Sequence, residues 1–111
     1  MIRGGMVALR VTDVDRAVRF YIETLGLKLV GTAAGASILD AGEGFLIELH
    51  QGTPGEETLT LFTKVPFEEA VAIYENRGVE FTIDGGLAHF RDPDGNRLAL
   101  SEGRPAAEST P

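Results

Sequence analysis

Cysteine is absent from all 111 residues of the chain, and so is tryptophan. Without thiols there can be no disulfide, no thiolate metal site and no cysteine nucleophile, which fits a reducing cytoplasm. Long apolar runs are missing as well: none approaches the roughly 20 residues that span a bilayer, although 43% of the chain is hydrophobic. Residues 1–5 lack the apolar segment and small-residue cleavage site of a secretion signal, so none is expected. Basic residues are outnumbered, 10 against 17 acidic ones, for a formal net charge of -7. That is the wrong sign for wrapping a nucleic acid, and it slightly favours cationic solutes. A glycine loop to cradle phosphate is missing, since Gly42, Gly44, Gly85 and Gly86 sit where hairpins turn. Two histidines and no recognisable serine elbow give no basis for a hydrolase triad.

What is present is a pattern used twice. Residues 6–11 alternate, with Val7, Leu9 and Val11 on the face expected to be buried and Met6, Ala8 and Arg10 on the other. Thr12 or Asp13 then caps a helix whose apolar stripe is Val14, Ala17, Val18, Tyr21, Ile22 and Leu25, and Gly26 stops it. Strands follow at 28–32, 37–40 and 44–50. After a connector at 51–57 the order begins again: a strand at 58–63, Pro66 at a helix start, a stripe of Phe67, Ala70, Val71 and Tyr74, and a stop at Gly78, 52 residues beyond Gly26. Strands at 79–83, 87–91 and 97–101 complete the copy, with Asp84-Gly85-Gly86 and Asp92-Pro93-Asp94-Gly95 as turns. The expectation is a single domain over 1–103, made of two βαβββ modules at about 5–50 and 58–102, with a flexible tail at 104–111.

The stretches "LRVTDVDRAVRFYIETLGLKLV", "FLIELH", "AVAIYENRGVEF" and "FRDPDGNRLALSE", in this order and at this spacing, resemble the vicinal oxygen chelate superfamily of glyoxalase I, extradiol dioxygenases, and fosfomycin- and bleomycin-resistance proteins. The resemblance covers nearly all of residues 6–102 and implies an α+β fold in which two βαβββ modules form a curved sheet with a concave cleft. It also implies a divalent metal held by two side chains from each module. Carried over position by position, those ligands fall on Met6, on Glu48, on Leu59 (or Thr58 with a shift of one residue) and on Ala99. Only Glu48 is a ligand of the family type, and a thioether is a poor donor to a hard cation. The turn and strands of "HFRDPDGNRLALSE" thus match the family while Ala99 departs from its chemistry.

Two readings of the remaining polar residues stay open. Glu48, His50 and His89 could form a displaced metal site, or Glu48 could act alone as a general base, which makes the chain a lyase, isomerase or dioxygenase. Alternatively, Glu48 pairs with Arg10 and does no chemistry. The favoured expectation is metal-independent binding of a small organic molecule, an antibiotic or metabolite, with Met6, Leu59 and Ala99 as an apolar floor and Arg10, Glu48, His50, Thr60 and His89 orienting the guest. No cofactor is expected. The resemblance implies a homodimer, and a third possibility is a structural or regulatory dimer whose cleft is filled by its own side chains.

Overall fold

The structure, a computed structural model, describes residues 1, 2, 4–33 and 35–102; the expected tail at 104–111 lies outside them. The chain runs through β1 (Gly5–Val11), α1 (Val14–Arg19), β2 (Lys28–Ala33), β3 (Ala36–Asp40) and β4 (Phe45–Gln51), then β5 (Thr58–Thr63), α2 (Phe67–Asn76), β6 (Thr82–Asp84), β7 (Leu87–Arg91) and β8 (Arg97–Glu102). The βαβββ order therefore occurs twice, as the internal repeat requires. Contacts divide the described residues into two compact units, one within 1–57 together with 91–96 and one of 58–90 with 97–102. The 91–96 turn belongs to the first unit although the strands it joins belong to the second.

In the first unit the strand order is β1-β4-β3-β2, with β1 parallel to β4 and the other pairs antiparallel. Alternation buries Val11 on β1, Ser37 and Leu39 on β3, and Ile47 and Leu49 on β4. These meet Ala17, Tyr21 and Leu25 from the helical segment, and each large apolar side chain so buried contributes roughly 1.5–3 kcal/mol. Asp13 is the N-cap, its carboxylate accepting from the Arg16 amide at 3.1 Å. The helix does not run evenly to Leu25: after Arg19 it widens into a π-helical turn, Phe20–Thr24, and the Leu25 amide reaches back five residues to Phe20 O. Gly26, at φ +86°, ends it in the left-handed conformation that glycine adopts without strain. A close backbone approach starts the sheet, where the Gly5 amide donates to Gly44 O at 2.9 Å.

In the second unit the order is β5-β8-β7-β6, again with a parallel first pair. Ala70, Val79, Ala88, Phe90, Leu98 and Leu100 are buried, and Phe81 meets Phe90 edge to face at 5.3 Å. Pro66 caps α2, where its missing N–H costs nothing. The strand expected at 79–83 is shorter and later, Thr82–Asp84. The Val79 amide donates to Tyr74 O at 3.1 Å, so this residue closes the end of α2 and is not available to a strand ladder.

Candidate functional site

The candidate residues of the first unit lie on the sheet face opposite its core. Because Ile47 and Leu49 point inward, Leu46, Glu48 and His50 point outward, half-buried. Register aligns the neighbouring strands into three rows across this face: Met6, Leu46 and Asp40; Ala8, Glu48 and Ile38; Arg10, His50 and Ala36. Met6 is 52% exposed, so this edge of the face is open to solvent. Glu48 is thus flanked by two hydrocarbon side chains, and Arg10 stands one row away beside His50. The expected Arg10–Glu48 ion pair is absent among the described residues. Arg10 instead lays its methylenes along Gly52, where an added Cβ would stand 2.8 Å from Arg10 Cδ.

The second unit repeats the geometry with different chemistry. Thr58 pairs with Arg97, Leu59 with Leu98, Thr60 with Ala99 and Leu61 with Leu100. Ala8 beside Glu48 and Thr60 beside Ala99 are therefore equivalent parallel pairs, and Met6 and Thr58, two residues earlier, are equivalent too. This resolves the choice between Leu59 and Thr58. Leu59 is on the same sheet face as Leu61, Leu98 and Leu100, opposite the face of Thr60 and Ala99, so it cannot share a floor with them. Ala99 is 0% exposed and presents no surface to a guest. His89 is half-buried on β7, between the buried Ala88 and Phe90.

The four register-equivalent positions thus carry a thioether (Met6), a carboxylate (Glu48), a hydroxyl (Thr58) and a methyl (Ala99). A divalent ion needs about three or more good protein donors, and this set does not fit one. Glu48 and His50 share one face of β4, while His89 lies in the other unit.

A polar network that the sequence did not reveal ties the 91–96 turn to the start of α1 and its π-helical turn. Tyr21, 0% exposed, donates its hydroxyl to Asp92 Oδ2 at 2.8 Å. Asp92 also accepts from the amides of Asp94 and Asn96 and from Asn96 Nδ2. Asn96 Nδ2 donates in turn to Arg10 O at 2.9 Å. Asp94 Oδ1 accepts from the Thr12 amide, the Thr12 hydroxyl and Arg16 Nη2. Desolvation opposes the charge on Asp94, but these hydrogen bonds and the Arg16 charge outweigh it and hold the carboxyl below its usual range. For Tyr21, burial and the neighbouring Asp92 carboxylate push the phenol well above its ordinary range. One atom of the network stands apart: Asp94 Oδ2 is buried without a hydrogen-bond partner among the described residues. A sequence reading sees Asp-Pro-Asp-Gly-Asn as turn chemistry and has no local signal for contacts 71 to 86 residues away.

A shallow cavity of about 600 Å³ in the second unit lies between α2 and the β6–β7 turn, lined by Phe67, Val71 and Ile83 with Glu68, Glu75 and Glu102.

The sequence profile described as "Glyoxalase/Bleomycin resistance protein/Dioxygenase superfamily" matches residues 4–100. Virulence protein STM3117 of Salmonella typhimurium is 27% identical over an alignment that covers 86% of this chain and 81% of that protein. Its crystal structure superposes with a TM-score of 0.79 at 26% identity, covering 94% of this chain and 98% of that one. An integron cassette protein from the mobile metagenome of Vibrio cholerae gives a TM-score of 0.75 at 26% identity, over 94% and 97% of the two chains. TnmS3, an antibiotic binding protein from a Streptomyces species, shares the fold at a TM-score of 0.79 and 24% identity, over 94% and 98%.

Proposed function

The chain belongs to the glyoxalase/bleomycin resistance protein/dioxygenase superfamily, and from that premise we propose that it binds a small organic molecule without a metal ion and holds it without transforming it. The observation that carries this reading is the register equivalence of Glu48 and Ala99. Where a metal-dependent site of this fold needs a carboxylate from each half, one half supplies a methyl group, and Met6 and Thr58 do not make up the loss. Hydrocarbon in place of donors favours dispersion and burial over coordination. The accessible face of Met6, Ala8, Leu46 and Ile38 supplies that surface, with Arg10, Glu48 and His50 to orient a guest. The antibiotic-binding role of TnmS3 supports the choice of a sequestered antibiotic or metabolite as guest. We place this function in a cytoplasmic homodimer, in keeping with the absence of cysteine and the family resemblance.

The rival with a specific observation behind it is enzymatic: Glu48 is a partly buried carboxylate with no partner among the described residues, as a general base would be. Native mass spectrometry with elemental analysis of the purified protein tests the proposal. It predicts an organic adduct without stoichiometric divalent metal, and a bound guest at 100 times its Kd should stabilise the fold by about 2.7 kcal/mol. Stoichiometric metal, or turnover abolished by Glu48→Gln, would favour the enzyme.

A further inference from the structure

On the open face of the first sheet, charge is ordered along the strands. Met6 and Leu46 share the first row with Asp40, whose carboxylate accepts from the Gly42 amide at 2.7 Å, Glu48 sits between Ala8 and Ile38 in the next, and Arg10 stands beside His50 in the third. Successive rows are two residues apart, which in a β-strand is about 7 Å. The basic end is built. Gly52 leaves room for the Arg10 stem to lie flat, since a Cβ there would be 2.8 Å from Cδ and 3.0 Å from Cγ. Asn96 Nδ2 holds the Arg10 carbonyl at 2.9 Å and so fixes the backbone from which the side chain departs. Among the described residues neither the Arg10 guanidinium nor the Glu48 carboxylate has a hydrogen bond or ion pair; the Arg16–Asp94 pair is a separate unit. A guest can therefore satisfy both charges without breaking a protein contact.

The geometry points to a specific ligand class: a zwitterionic amphipath whose anionic oxygen group meets Arg10 and His50, whose ammonium group meets Glu48 one row away, and whose apolar body covers Ala8, Ile38, Met6 and Leu46. Guanidinium suits a carboxylate because its planar fork matches the two oxygens. The half-buried Glu48 carboxylate is flanked across the strands by Ala8 and Ile38, which offer it no hydrogen bond and leave it to an ammonium donor. This assignment rests on the reading of the chain as a small-molecule binder and narrows the guest from any apolar molecule to one that carries two opposite charges.

The test is an NMR titration of the full-length ¹⁵N-labelled protein with three probes of one shape: 4-(aminomethyl)benzoate, which carries both charges across a benzene ring, 4-methylbenzoate and 4-methylbenzylamine. The zwitterion should perturb β1 and β4 and bind at least tenfold more tightly than either singly charged probe. Arg10→Gln should reduce it to the affinity of 4-methylbenzylamine and Glu48→Gln to that of 4-methylbenzoate. Gly52→Ala keeps both charges but displaces the Arg10 stem, and should lose part of the discrimination; dispersed spectra show that each variant is folded. Equal binding of all three probes at β1 and β4 would overturn the paired-charge assignment while leaving small-molecule binding intact. No perturbation of β1 and β4 by any probe would also overturn it, and the adduct mass then decides the binding function independently.

Discussion

Tyr21 donates its hydroxyl to Asp92 Oδ2 at 2.8 Å, joining the π-helical turn to a turn 71 residues further along the chain. Both residues are buried, so the bond has no competing water and its loss leaves a carboxylate oxygen short of a donor. Tyr21→Phe removes only that donor. We expect it to lower stability by about 1–3 kcal/mol in urea unfolding. A loss under 0.5 kcal/mol would show that Asn96 Nδ2 alone satisfies the carboxylate.

Asp94 makes stability depend on pH in a defined direction. Its carboxyl is held below the unfolded value, about 3.9 for Asp, chiefly by Thr12 and Arg16 against an opposing desolvation. A depressed folded pKa contributes stability that is complete above the unfolded pKa and is lost as pH falls through the folded one. Unfolding curves of the native chain and Asp94→Asn should therefore differ most at neutral pH and converge in acid below the carboxylate range. A gap constant from pH 7 to pH 2.5 would place the effect of the substitution elsewhere.

Gly4 and Gly5 are neighbours with opposite tolerances. A Cβ on Gly4 would stand 2.2 Å from Gly44 O, a backbone atom already engaged by the Gly5 amide, whereas a Cβ on Gly5 meets nothing within 4 Å. Gly4→Ala should cost roughly 1–3 kcal/mol through forced backbone displacement. Gly5→Ala should be neutral or gain a few tenths of a kcal/mol from a less flexible unfolded chain. Thermal melts of the two variants give the comparison directly.

These pairs also show how far the sequence reading reached. Period-2 alternation located β5 to the residue, and the stops at Gly26 and Gly78 adopt the expected positive φ, because each is set by local chemistry. The same locality explains the misses. Val79 has strand-like neighbours, but its amide is taken by Tyr74 at the helix end, which apolar patterning does not encode. Leu59 and Thr58 differ by one residue, and in a strand one residue is the whole difference between two faces; only the β5–β8 register decides it. The Arg10–Glu48 pair was drawn from shared face alone, and the space over Gly52 directs Arg10 away. The contacts of Asp92, Asp94 and Asn96 are long-range and leave no trace in the turn sequence itself.

The donor set at Met6, Glu48, Thr58 and Ala99 makes a prediction about chelation. A structural or catalytic ion bound to the folded state would add RT ln(1 + [L]/Kd) to its stability. With one carboxylate in the set, EDTA should leave the melting temperature unchanged, and added zinc, manganese or magnesium should not raise it.

The most direct test of the central claim is the intact mass of the natively purified protein, measured together with its divalent metal content. The account predicts an organic adduct, released on denaturation, on a chain whose metal is far below one equivalent. One equivalent of divalent metal that survives desalting, with no organic adduct, would contradict it.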